Sequence, residues 1–211
     1  MGRFKTEREE MIQLLRDRGI SNQTVLRAMA RVERHSFVQQ PFTNKSYDDS
    51  ALPIGKGQTI SQPYTVAYMT QVLDVEPGNR ILEVGTGSGY QAAILVEMGA
   101  RVFSIERDHE LLAAARKILD TQGYAVATKG GDGTVGWNEF APFDRIIVTA
   151  GAPTIPEPLL KQLVDGGKLV IPVGDLDIQS ILICTRRGER FDREEAVGFK
   201  FVPLIGKMGW K

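Results

Sequence analysis

The residues with the clearest chemical potential lie in the run Arg80 to Tyr90, RILEVGTGSGY. An apolar, β-prone stretch ends there in Gly85-Thr86-Gly87-Ser88-Gly89. Glycines at that spacing let a backbone turn tightly and come close to a ligand. The spacing is G-x-G-x-G. A dinucleotide fingerprint, G-x-G-x-x-G, wants a small residue at position 90, where this sequence has Tyr90. The loop therefore suits a nucleoside cofactor without a pyrophosphate. Glu106 closes the next β-prone stretch, RVFSIE, roughly 20 residues beyond the loop, where a carboxylate can accept hydrogen bonds from both ribose hydroxyls. Asp132 follows a third such stretch, in GGDGTVGW, and a carboxylate there can accept from the exocyclic amine of adenine. Arg107 and Gly133 flank these acids and join the candidate cofactor set. Glu83, inside the first motif, is placed to contact or orient the non-nucleoside end of the cofactor. The plain alternative is that the glycines are ordinary turns and the acids solvated strand ends. The ordered appearance of loop, Glu106 and Asp132 at three successive strand ends argues against it.

These positions need a scaffold, and apolar periodicity supplies one. Residues 5–18 predict an amphipathic helix that stops at Gly19, and Ser21 or Asn22 can cap a second, carrying Val25, Leu26, Met29 and Val32. From His35 to Gln58 the pattern fades, and an irregular connection is expected. A helix starts near Ser61-Gln62-Pro63 and carries Val66, Met69, Val72 and Leu73. Beyond the Pro77-Gly78 turn, strands and helices alternate. Strands are expected at Arg80–Val84, Arg101–Glu106, Ala125–Thr128, Arg145–Thr149, Lys168–Val173, Ile178–Arg186 and Ala196–Pro203. Helices are expected at Tyr90–Met98, Glu110–Gln122 and Pro158–Leu163, with a turn at Gly166-Gly167. Such alternation predicts an α/β, doubly wound Rossmann-like sheet, mostly parallel, with helices on both faces and extra N-terminal helices. One domain over 1–211 is expected, with an N-terminal helical and substrate-loop extension over 1–76 and a cofactor-binding core over 77–211.

Composition narrows the class. Of 211 residues, 42% are apolar and 25% charged, and 26 basic residues balance 26 acidic ones, so a general nucleic-acid binder is disfavoured. The single cysteine, Cys184, permits no internal disulfide and reads as a buried thiol. His35 and His109 lie far apart, without cysteine neighbours, so no metal site is expected. No apolar run approaches the roughly 20 residues of a membrane span. The N-terminus MGRFKTEREEM has no signal-peptide core, and a cytoplasmic location is expected.

Three stretches together resemble the protein-L-isoaspartate O-methyltransferases, nearly end to end: Leu52 to Met69 (LPIGKGQTISQPYTVAYM), the loop ILEVGTGSGYQAAIL, and Gly131 to Ile146 (GDGTVGWNEFAPFDRI). Smaller echoes are RHSFV at 34–38, GGKLVIPVG at 166–174 and FVPLIG at 201–206. The loop motif is shared by many methyltransferases; the first and third stretches are more specific. The resemblance implies a repair enzyme. It would use S-adenosyl-L-methionine, leave S-adenosyl-L-homocysteine, and methylate the α-carboxylate of L-isoaspartyl residues in damaged peptides and proteins. The ester would then close to a succinimide. A monomer that binds neither nucleic acid nor membrane is expected.

The resemblance also places Ser61 at the active site, to orient the acceptor through a hydrogen bond. A carboxylate is already ionised at neutral pH and needs no strong base; the task is alignment and exclusion of water. Thr59, Ile60, Ser61 and Gln62 form the candidate clamp, just before a helix start whose free N–H groups attract anions. The alternative for Ser61 is a simple helix cap. Val202 and Leu204 can offer backbone to an extended peptide, or belong to a buried closing strand. Trp137 and Phe143 read as core anchors. Two other classes compete: a methyltransferase for small molecules or nucleic acid, and a dinucleotide oxidoreductase. Thr149-Ala150-Gly151-Ala152-Pro153 lacks the aromatic of the N-P-P-Y motif frequent in nucleic-acid methyltransferases.

Overall fold

A computed structural model describes residues 4–211. The N-terminal helices form where periodicity places them. Helix α1 spans Lys5–Asp17, and α2, Gln23–Arg31, is capped by the Asn22 side chain, which accepts from the N–H groups of Thr24 and Val25. Two short 3-10 turns follow, Arg34–Phe37 and Gln40–Lys45. The stretch expected to be wholly irregular then pairs into a hairpin. Strand β1 (Leu52–Gly55) runs antiparallel to β2 (Gln58–Ile60). Only four and three residues long, these strands carry too few alternations to show in a periodicity reading. Helix α3 is Pro63–Leu73.

The main sheet has seven strands: β3 (Arg80–Val84), β4 (Arg101–Glu106), β5 (Val126–Gly130), β6 (Phe143–Val148), β7 (Leu163–Gly174), β8 (Gln179–Arg187) and β9 (Arg190–Phe199). Their spatial order is β5-β4-β3-β6-β7-β8-β9. The first five are parallel, whereas β7, β8 and β9 form an antiparallel meander. The order reverses between β3 and β6, so a crevice opens at the carboxyl ends of those two strands. Two expectations need correction. Gly166-Gly167 is no turn between elements: it lies inside β7, where the register with β6 shifts. And β9 begins at Arg190, inside the charged run RFDREE, because β8 continues to Arg187 and a Gly188 turn returns the chain at once.

The two faces of the sheet are covered unequally. One carries α3, α4 (Tyr90–Glu97) and α5 (His109–Gln122), with α1 and α2 packed outside them; Leu15, Val25, Leu26, Met29, Ile81, Ile94 and Ile181 share that core. Helix α4 is apolar on nearly every side because it lies between the sheet and α2. The other face holds only the five-residue helix α6 (Glu157–Lys161), two 3-10 turns and the C-terminal segment, around Leu82, Phe103, Trp137, Phe143, Leu159 and Leu204. Cys184 is fully buried there. No helix among the described residues is long and apolar enough to cross a membrane.

Candidate active site

A cavity of about 240 Å³ opens over the ends of β3 and β6. Its floor is Val84, Gly85, Gly87, Thr149 and Ala150; Ile105, Glu106, Arg107 and Asp108 form one wall; Val202 to Ile205 form another; Ile54, Lys56, Gln58 and Thr59 of the hairpin cover it. Glu106 is braced from below. Its Oε2 accepts from the Gly87 N–H at 2.9 Å and its Oε1 from the Asp108 N–H at 3.0 Å. A carboxylate offers about four lone-pair positions, so acceptor capacity remains for a diol. Gly85 has φ +98°, and a Cβ there would meet the Thr149 Oγ1 at 2.4 Å. That hydroxyl donates to the Gly85 carbonyl at 2.6 Å and fixes the loop's first turn.

A smaller cavity of about 50 Å³ adjoins the first through Thr59, Gly85, Gly87 and Thr149. Ile60, Ser61, Val66 and Met69 line one side of it, and Thr86, Ser88, Tyr90 and Gln91 the other. Beneath the glycine loop runs a sealed polar chain. The Ser104 hydroxyl donates to Glu83 Oε2 and lies 2.6 Å from the Thr86 Oγ1. Glu83 is fully buried, and burial pushes its carboxyl up to about 8; the Ser104 bond opposes this, while the nearby Glu106 charge adds to it. Burial thus favours the protonated form of Glu83.

The hairpin and α3 are held by the extension. Arg34, fully buried, donates its Nε to the Ser46 carbonyl at 2.7 Å and stacks over the Tyr90 ring at 4.9 Å. Burial lowers its pKa, and burial raises that of Tyr90 to about 12. Asp49 accepts from the Tyr64 N–H at 2.8 Å and pairs with Arg18.

The structure brings Thr59, Gly85, Gly87, Glu106, Arg107, Gly133, Val202 and Leu204 to the larger cavity, and Ile60, Ser61, Thr86 and Ser88 to the smaller one. Others stand apart. Gly89 is the N-cap residue of α4. Glu83 supports the loop from beneath and lines neither cavity. Asp132 lines neither as well: its Oδ1 accepts from the Thr134 N–H and hydroxyl, and its Oδ2 from the Lys207 N–H. Burial raises the Asp132 pKa, but these bonds outweigh it and hold the group below the usual carboxylate range. Gln62, the N-cap residue of α3, also lines neither cavity. The N-cap residue Gln62 makes no capping bond with its own side chain, and the first-turn N–H of Tyr64 goes to Asp49, so the Ser61 hydroxyl is not spent on capping α3. Nor is the start of α3 open to an anion as expected, because Pro63 has no N–H and the Asp49 carboxylate takes that of Tyr64. Sequence reasoning missed Ile54, Lys56, Gln58, Thr149 and Gln91. Thr149 had a signal as the residue ending a central strand, and the others lay inside the stretches that carry the family resemblance without being given a role.

A braced carboxylate for a diol at one end, hydroxyls and amides at the other, and a glycine floor between them fit an adenosyl amino acid. With the parallel sheet and its crevice at the strand-order reversal, they define an S-adenosylmethionine-dependent methyltransferase. A family model described as Protein-L-isoaspartate(D-aspartate) O-methyltransferase (PCMT) matches residues 6–209. The chain belongs to that family. It is 55% identical to the protein-L-isoaspartate O-methyltransferase of Chlorobaculum tepidum, over 97% of this chain and 96% of the relative. With that of Dictyoglomus thermophilum it shares 51% identity, over 99% and 95%. Among solved structures, a protein-L-isoaspartate O-methyltransferase superposes with a TM-score of 0.86 at 26% identity, over 96% of this chain and 67% of the other. A Plasmodium falciparum protein assigned to the same activity, in complex with S-adenosyl-L-homocysteine, gives 0.82 at 25% identity, over 94% and 98%.

Proposed function

We propose that this chain methylates the free α-carboxylate of L-isoaspartyl residues in damaged peptides and proteins, the first step of their return to aspartate. The observation that carries the reading is the shared cavity wall: Ser61 and the glycine loop face one small space, joined through Thr59 and Thr149 to the larger one. Bound S-adenosyl-L-methionine supplies an electrophilic methyl on a sulfonium. Glu106 takes the ribose hydroxyls, and Ile105, Val84 and Gly133 flank the nucleoside. Arg107, exposed at the rim, faces its outer edge. Asp132 acts by fixing the C-terminal wall, and Glu83 by supporting the loop. Ser61, with Thr59 and Ile60 beside it, orients the acceptor carboxylate by donating its hydroxyl hydrogen. The ionised acceptor needs no base, and the hairpin and Val202–Leu204 keep water from the junction. Gln62 and the backbone at Val202 and Leu204 meet the peptide on either side of that residue.

The balanced charge and the absence of an aromatic after Thr149 support a peptide rather than a nucleic-acid acceptor. We take the chain as a cytoplasmic monomer in which segments 1–76 and 77–211 form one domain. The test is labelled-cofactor methylation of a matched peptide pair, one with L-isoaspartate and one with L-aspartate. Strong labelling of the first and almost none of the second is expected; equal labelling of both, or none of either, would overturn the assignment.

A further inference from the structure

Gln91 has no role assigned from the sequence, yet it is only 7% exposed and lines the smaller cavity opposite Ser61. Its amide orientation follows from its neighbour. The Thr70 hydroxyl donates its one hydrogen to the Val66 carbonyl, at 2.7 Å inside α3. Towards Gln91 that oxygen can therefore only accept, and it accepts from the Gln91 Nε2 at 3.0 Å. The carboxamide is thereby fixed with its oxygen turned away from Thr70. That oxygen has no donor among the described residues, yet it is not sealed in the core as Glu83 Oε1 and Tyr90 OH are. A nearly buried acceptor at a cavity wall, locked and without a donor, calls for a cationic N–H.

The cofactor's shape says which cation comes there. With the ribose on Glu106 and the sulfur over the shared Gly85–Gly87 floor, the amino-acid end enters the smaller cavity. Glu83 does not meet it: that carboxyl lies beneath the loop, bonded to Ser104. Ser88 Oγ already accepts from the Tyr90 N–H at 3.3 Å. We propose that Gln91 Oε1 accepts a hydrogen bond from the α-ammonium of S-adenosyl-L-methionine and S-adenosyl-L-homocysteine, with Thr70 as the residue that orients it. The proposal rests on the reading that the nucleoside occupies the larger cavity.

Calorimetric titration of two ligands separates the possibilities. S-adenosyl-L-homocysteine carries the ammonium; 5′-methylthioadenosine keeps the nucleoside and sulfur but lacks the amino-acid end. In Gln91→Met, Kd for the first should rise on the order of 10-fold or more, as for losing a hydrogen bond to a charged group, while Kd for the second stays within about twofold. Gln91→Glu, which keeps an acceptor for the ammonium but loses the bond to Thr70, should restore part of the loss. Thr70→Val should weaken S-adenosyl-L-homocysteine several-fold and spare methylthioadenosine. An equal loss of both ligands in Gln91→Met, or of neither, would overturn the role of Gln91. Failure of the wild-type protein to bind methylthioadenosine at all would instead overturn the placement of the nucleoside.

Discussion

At the residue scale, Ser61 and Glu83 show how differently two polar groups serve one reaction. The Ser61 hydroxyl faces the cavity and is not used to cap α3. Ser61→Ala should lower kcat/KM for an isoaspartyl peptide about 10- to 100-fold, the range of a hydrogen bond to a charged group. Kd for S-adenosyl-L-homocysteine should change less than about threefold, by calorimetry. Glu83 works from below, where burial favours its protonated form, and its effect is on stability. Its folded pKa of about 8 lies above its ordinary value of 4.5, so the folded chain holds a proton the unfolded chain has lost. Stability from this group is complete below about pH 4.5 and declines as pH rises through 8. Glu83→Gln mimics the protonated form. The wild type should lose up to ~1.4 kcal/mol per pH unit relative to the variant across that window, read from urea midpoints at pH 5 to 9; parallel profiles would refute the assignment. The glycine loop and Glu106 were legible in the sequence because each is a residue type with one plausible task at a strand end. Asp132 reads in the sequence as an acceptor for the exocyclic amine of adenine. That its carboxylate holds Thr134 and Lys207 depends on a segment 75 residues further along, which local spacing cannot reveal.

At the element scale, the decisive pieces are the hairpin β1–β2 and helix α3, which carry the candidate acceptor residues over the cofactor crevice. Their placement depends on Asp49, which caps the Tyr64 N–H and pairs with Arg18. Asp49→Ala should cost about 1 kcal/mol in stability, as for a lost helix cap. It should also raise KM for the isoaspartyl peptide several-fold without changing the affinity for S-adenosyl-L-homocysteine. A loss confined to the cofactor would show that the hairpin serves the other ligand. Helices were the easiest elements to read, since α1, α2, α3 and α5 each repeat an apolar stripe over two or more turns. The hairpin escaped notice for lack of length. The β8–β9 pairing escaped because the edge strand β9 is solvated and charged, and its sequence reads as loop.

At the scale of the whole molecule, described residues ahead of position 77 contribute to the core. Leu15, Val25, Leu26 and Met29 are essentially buried against the sheet's helices, and Arg34 stacks on Tyr90 at the very start of α4. A chain beginning at residue 77 should therefore expose the apolar outer side of α4. It should bind an apolar dye, aggregate on concentration and show no cooperative thermal transition; a sharp transition would establish the core as independent. The overall α/β class was readable from alternation alone, but the thin cover on the second face was not. Trp137 and Leu204 close that face from irregular segments whose destination no periodicity encodes.

The C-terminal segment has a temporal consequence. Val202 to Ile205 wall the larger cavity, Trp210 Nε1 donates to the Gly151 carbonyl, and the Lys207 N–H closes on Asp132. A nascent chain on the ribosome can form the β3–β6 crevice early, yet it has only an open trough for a ligand until residue 210 has left the exit tunnel. Cofactor retention should therefore wait until the segment from Val202 to Trp210 has docked on Gly151 and Asp132. Stalled or prematurely terminated chains that stop short of Val202 should fold much of the sheet while remaining unable to retain the cofactor.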